Sequence, residues 1–205
     1  MGHSQKEKAE NHERVVRLAA ALFRETGVDG IGVADLMKQA GLTHGGFYRH
    51  FGSREDLVAE AVEAALADGS QAARAMLESL ESTGKEDPKT AVKRRQALLG
   101  LLVDGYLSAA HRDNLASSCA VTTMAGDVAR GSARAREVYT RQVGMYLELL
   151  VRLIEAERHK ARRAKAIAAL STLVGAVSLA RAVSDPALSG EILKSAADEL
   201  KAQLA

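Results

Sequence analysis

Three observations predict an all-α fold for this 205-residue chain. Apolar residues recur at three- and four-residue spacing along most of its length, as in Val15, Leu18, Ala19, Leu22 and Phe23. No segment alternates apolar and polar residues as a half-buried strand does. Breakers are sparse and fall between the periodic runs: proline occurs only at positions 88 and 186, and Gly27, Gly41 and Gly52 close successive runs. Helix-favouring Ala and Leu dominate and Trp is absent, so about nine helices are expected, without internal repeats.

The elements follow in order. A helix is expected over 7–25, its apolar stripe facing inward and Glu13, Arg14 and Arg24 lying off it. Gly27 stops it. A shorter helix spans Val33 to Ala40 with Leu36 and Met37 inward, ended by Gly41. Thr43 is placed to cap a third, short helix to His50. Ser53, with Asp56 three residues on, opens the next in a capping-box arrangement, and Leu57, Ala61, Val62, Ala65 and Leu66 carry it towards Leu80. The stretch STGKEDPK, residues 82–89, is the clearest break. A helix to about Ala109 follows, then a connector over 110–118, a helix over 120–128 and a long one after Gly131 from Val138 to Ile154. Two more, about 163–183 and 190–203, flank Asp185–Pro186.

Bulk properties narrow the function classes. Net charge is +2, and the first 56 residues carry no basic excess, so nucleic-acid binding would have to rest on placement of charge rather than its total. The single cysteine, Cys119, excludes an internal disulfide and fits a reducing compartment. The polar, charged start does not read as a signal peptide. The uncharged run between Lys165 and Arg181 holds 15 residues, fewer than the ~18–20 that span a bilayer. A cytoplasmic protein with no membrane partner is expected. Metalloprotease, CxxC, P-loop and nucleophile-elbow motifs are absent, which argues against an enzyme and against a metal or other cofactor.

The densest signal is GLTHGGFYRHFGSRED, residues 41–56, which packs three of the seven aromatic residues into five positions behind a glycine pair. A short helix, a glycine turn and a second short helix within about twenty residues are a helix-turn-helix candidate. Such a motif brings the N-terminal end of its second helix to the major groove. Gly45 and Gly46 remove side-chain bulk there, so the backbone can approach a phosphate or base edge. Phe47 and Phe51, one turn apart, brace the helix against the first one; Tyr48 and His50 project elsewhere. The competing reading is a tight helical hairpin whose glycines only permit close packing, in a helical module that binds protein rather than DNA.

These residues resemble the DNA-binding segment of TetR/AcrR-type bacterial transcriptional regulators. The likeness runs from about residue 10 to 62, through RLAAALFRETGVDGIGVADLMKQAGL, the FYxHF-type core and the SREDL start of the following helix. Where many members carry Thr at the start of the second helix, Ile31–Gly32 stands here. The resemblance implies a DNA-binding domain over 1–56 and an effector-binding and dimerisation domain over 57–205. It implies that Thr43, His44 and Gly45 face bases, that Tyr48, His50 and Arg54 hold phosphates, and that Lys6 and Lys8 form an arm reaching the DNA backbone. It also implies a repressor, associated with the nucleoid, that leaves a palindromic operator on a small-molecule or electrophile signal.

The back half is read accordingly. AIAALSTLVGAVSLA, residues 166–180, is apolar or small nearly all round and must be buried on most faces. With the last helix it is expected to form a four-helix bundle between two copies, with Leu170, Val174, Val177, Ile192, Ala196 and Leu200 at the interface. Met76, Tyr106, Cys119, Met124, Met145 and Tyr146 are the candidate lining of an effector pocket; each alone also fits ordinary core. Cys119, at an expected helix start, is a candidate electrophile sensor. The basic run RHKARRAK, residues 158–165, is expected to be a solvated helix junction with its cations at the preceding helix's C-terminus.

Overall fold

The structure, a computed structural model, describes residues 5–81, 87–154 and 159–204, with the backbone alone at 72, 81 and 159. Its elements are α1 (Gln5–Thr26), α2 (Val33–Gln39), a 3-10 helix (His44–Arg49), α3 (Arg54–Glu81), α4 (Pro88–Tyr106), α5 (Ala109–Asp113), α6 (Ala120–Thr123), α7 (Ala125–Arg130), α8 (Ala133–Leu153), α9 (His159–Ala182) and α10 (Pro186–Leu204). Among the described residues there is no strand, so the all-α expectation holds, with ten α-helices and one 3-10 helix where about nine helices were expected.

The extra elements come from two places. The expected 110–118 connector contains α5, whose N-cap Ser108 accepts a hydrogen bond from the His111 N–H at 3.0 Å. The expected 120–128 helix divides at Met124, which lies at φ −109° and ψ 4°, into α6 and α7. Of the expected connector 82–89, residues 82–86 lie outside the described residues; Asp87 caps α4 through the N–H groups of Lys89 and Thr90, and Pro88 fills its first position. Residues 155–158 are likewise outside the described residues. α9 already begins at His159, so Lys160, Arg162, Arg163 and Lys165 occupy its first turns instead of a preceding C-terminus. They stay exposed, which lets water offset the opposing helix dipole. Lys165 also reaches the Gln203 carbonyl near the end of α10, at 3.3 Å.

The chain packs into two compact units. One ends at Gly69 and takes in Leu115–Arg141; the other holds Ser70–Asn114 and everything from Gln142. The expected functional boundary at residue 56 falls in the first turn of α3, and this helix runs through the first unit into the second.

In the first unit the predicted stripes form the core. Val15, Ala19, Ala20 and Phe23 of α1, Leu36 and Met37 of α2, and Leu57, Ala61, Val62 and Ala65 of α3 are all buried. Met124 and Val128 add to it. Polar ties hold the later segment in place: Tyr139 Oη donates to the Val121 carbonyl at 2.7 Å, and the Val28 N–H donates to Asp127 at 3.3 Å. Burial, and then the neighbouring Cys119, push the Tyr139 phenol up to about 12, so it remains a donor throughout the physiological range.

The second unit is built on the antiparallel pair α9 and α10. Ala166, Ala169, Leu173, Val177 and Ala180 meet Leu193, Ala197, Leu200 and Leu204. Lys160–Ala182 has the length and mean hydropathy, 1.3, of a membrane span. The span is longer than the 15-residue uncharged run because it takes in the charged residues at its N-terminal end. The apolar character is spent here on the inward face, which packs in this core. The α5 corner is tied to the pair: Arg181 donates to the His111 and Arg112 carbonyls at 2.8 and 2.9 Å, and Arg112 donates to Ser189 at 2.9 Å.

Gly41 sets the angle at which the 3-10 helix leaves α2. It sits at φ +73°, its N–H reaches the Lys38 carbonyl at 3.0 Å, and the Leu42 N–H reaches the Met37 carbonyl at 2.9 Å. A side chain in this left-handed conformation costs about 1–2 kcal/mol. Gly41→Ala is expected to lower the unfolding free energy by about that amount in urea denaturation.

Candidate nucleic-acid interface

The segment after Gly41 is a 3-10 helix because it is only six residues long and opens with two glycines. So short a piece has no stability of its own in water, and side chains anchor it. Phe47 and Phe51 are buried, their rings 5.3 Å apart. Phe51 stacks on His12 of α1 at 4.6 Å, and His12 Nε2 lies 2.6 Å from a Glu60 carboxylate oxygen on α3. Arg14 of α1 donates to the Ala40 carbonyl at 3.0 Å and to the Asn11 side chain at 2.6 Å. The element is thus pinned between α1, α2 and α3 by its inner face.

Its outer face carries the expected reading end. Thr43, His44 and Gly45 are exposed. Thr43 occupies the N-cap position, yet its side chain makes no capping hydrogen bond, which corrects the capping expectation. A side chain added at Gly45 would meet nothing within 4 Å, and one at Gly46 would make only ordinary contacts with Thr43 and Met37. Neither glycine has a positive φ. Internal packing and backbone geometry therefore demand glycine at neither position, and the hairpin-packing reading loses its reason at Gly45. What Gly45 leaves is room outside.

Beside this tip lies a cleft of about 490 Å³ lined by Lys8, Asn11, Leu42, Thr43, Gly46, Tyr48, Arg49 and His50. No acidic side chain is among them. Tyr48 is 74% exposed, its ring edge-on to Phe47. His50 is half-buried, and its Nδ1 has no hydrogen-bond partner. Burial first, then the charges of His12, Lys8 and Arg49, lower its pKa below the usual histidine value.

The structure thus brings together Lys8, Thr43, Tyr48 and His50, with His44 and Gly45 exposed at the neighbouring tip. It does not bring in the other two. Lys6 pairs with Glu10 on the surface at 3.8 Å. Arg54 turns back onto the loop after α1: it donates to the Val28 carbonyl at 2.7 Å and to Asp29 at 3.0 Å. Its guanidinium ties that loop to the start of α3, so the expected phosphate role meets an arginine already engaged. Ser53, by contrast, caps α3 as expected, accepting from the Asp56 N–H at 3.1 Å. Gly32, at the N-cap of α2, supplies no side-chain cap. Sequence reasoning missed Asn11 and Arg49. Asn11 lies one turn after Lys8, a spacing that could have flagged it; Arg49 sat unread inside the aromatic cluster.

The other expected sites are distributed. Met76, Tyr106, Met145 and Tyr146 are half-buried against the core of the second unit, whereas Met124, fully buried, and Cys119, half-buried at the N-cap of α6, belong to the first. In the second unit Ser70 donates to Gln142, whose buried Nε2 has no partner. Of the expected dimer residues, Leu170, Val177 and Leu200 are buried within this chain's own core, which corrects their assignment to a partner-facing surface. An apolar helix does not announce which face turns inward. Val174, Ile192 and Ala196 are half-buried at its edge. The outward apolar residues of the pair are Ile167, Leu179 and Leu188.

Comparison with known proteins agrees with this geometry. The family profile for bacterial regulatory proteins of the tetR family matches residues 15–61. An uncharacterised helix-turn-helix-type transcriptional regulator of Mycobacterium tuberculosis is 32% identical over 185 residues, covering 84% of this chain and 85% of that protein. A TetR transcriptional regulator from Chloroflexus aurantiacus is 26% identical with a TM-score of 0.74, covering 97% of this chain and 96% of that one. A TetR-family regulator from Cytophaga hutchinsonii shares the fold at a TM-score of 0.71 and 16% identity, over 100% of this chain and 98% of that one. The chain belongs to the tetR family of bacterial transcriptional regulators.

Proposed function

We propose that this regulator is a cytoplasmic, nucleoid-associated repressor that binds a palindromic operator as a homodimer and is released by a small-molecule or electrophile signal. It performs no catalysis and uses no cofactor. The DNA-contacting part is residues 1–56, and residues 57–205 carry effector binding and dimerisation. The observation that carries the DNA-binding reading is the open space at Gly45. A glycine that neither the fold nor the backbone needs, beside an acid-free cleft with Lys8, Arg49 and Tyr48, fits a surface that a duplex approaches closely.

Thr43 and His44 are the base-reading residues, and Lys8, Tyr48, Arg49 and His50 meet backbone. The outer face of α9 and α10, with Ile167, Leu179 and Leu188 exposed and Val174, Ile192 and Ala196 at its edge, is the dimer surface. Two such subunits present their reading ends about two-fold symmetrically, as a palindrome requires. The effector sits among Met76, Tyr106, Met145 and Tyr146; Cys119 is the site of the electrophile branch. A ligand that prefers the subunit arrangement unable to span the operator weakens DNA binding by its differential affinity for the two states.

Three measurements test this reading. Gly45→Leu is expected to leave thermal stability nearly unchanged and to abolish the mobility shift of duplex DNA from upstream of the protein's own gene; binding that survives a side chain there would refute the reading. His44→Ala should lose discrimination between operator and unrelated DNA, by about tenfold or more, while non-specific affinity persists. Arg54→Ala should behave oppositely: its melting temperature drops, and the dependence of DNA affinity on salt concentration keeps its slope, because no phosphate contact is removed.

A further inference from the structure

The cleft beside the reading tip holds three nitrogen bases and no acid: Lys8 from α1, and Arg49 and His50 from the segment after Gly41. His50 is the one whose charge is open to change near neutral pH. The groups that face it are Lys8 and His12 of α1 and Arg49 of its own segment. The Glu60 carboxylate of α3 is engaged by His12 at 2.6 Å. The His12 ring lies 6.2 Å from that of His50. His50 Nδ1 is buried and has no hydrogen-bond partner. In the free protein the charges of His12, Lys8 and Arg49 therefore oppose a proton on His50, and its buried Nδ1 offers one no acceptor.

We propose that a backbone phosphate of duplex DNA seats in this cleft against Lys8 and Arg49, and that His50 takes up a proton as it does so, making DNA affinity rise as the pH falls through the neutral range. The inference rests on the DNA-binding reading and adds the regulation of that same site. A bound phosphate places negative charge among the cations that otherwise repel the proton, and it is an acceptor for the charged ring.

The sign follows from linkage. Free His50 titrates below its ordinary value of 6.5, through burial and its cationic neighbours, and is neutral at pH 7. Phosphate raises the value in the complex. Between the two values binding consumes a proton, so affinity gains up to about tenfold per pH unit per subunit as the pH falls. Below the free value His50 is charged in both states and the gain stops. A lysine or arginine at this position would bind phosphate without this dependence.

The experiment uses full-length protein and duplex DNA from upstream of its own gene. Histidine side-chain NMR of isotope-labelled protein is recorded against pH with and without saturating duplex, and affinity is measured by fluorescence anisotropy at constant ionic strength. His50 is expected to titrate about one unit or more higher in the complex. His50→Gln is expected to weaken binding modestly, keep its salt dependence and lose the pH slope, and His111→Gln, in the second unit, to keep both affinity and slope. An unchanged His50 midpoint on DNA, or a slope that survives His50→Gln, would overturn the proposal and leave DNA binding standing. Absence of binding at every pH would sink the DNA-binding reading and this proposal with it.

Discussion

The packing of Phe47 and Phe51 into the angle between α1, α2 and α3 is the constraint on which the candidate site depends. Six residues with two glycines form no stable helix in water. Burial of two phenyl rings, worth about 1.5–3 kcal/mol each, fixes the element in place of intrinsic propensity. The stack of Phe51 on His12 and the His12–Glu60 contact extend the anchorage to both long helices. Because the inner face carries the stability, the outer face is free to hold residues chosen for what they touch. That division explains how Gly45, Thr43 and His44 can stand exposed at the end of so small a helix.

The same logic explains why anchoring and contact residues sit side by side in the sequence and differ in role. Phe47 is buried and Tyr48, the next residue, is 74% exposed. Arg54 and Arg49 are both cationic and five positions apart, yet one closes a loop through the Val28 carbonyl and Asp29 while the other lines the cleft. Charge alone did not distinguish them; the direction in which the backbone presents each side chain did.

Much of the fold was legible because helical spacing and breaker residues report local geometry. The stripe Val15 to Phe23, the stop at Gly41 and the Ser53 cap each depend on residues within one or two turns. What escaped depends on partners far along the chain. Arg54 meets residues 25 and 26 positions away, and Asp127 meets Val28 from 99 positions away, so residues 115–141 join the first unit without any local sign of it. The division of the 120–128 helix at Met124 and the 3-10 character of the reading element were lost for another reason: α and 3-10 turns share nearly the same apolar spacing over one turn. In α9 the sequence is small and apolar on all sides, so periodicity could not say that Leu170 and Val177 turn inward while Ile167 and Leu179 turn out.

The central claim is that the tip formed by residues 43–50 lies against duplex DNA while its inner aromatic face stays packed. Hydrogen–deuterium exchange with and without duplex DNA tests it most directly. The account requires new protection confined to peptides covering residues 41–50 and the first turns of α1. Protection appearing instead over the exposed basic turns of α9, with residues 41–50 unchanged, would contradict it.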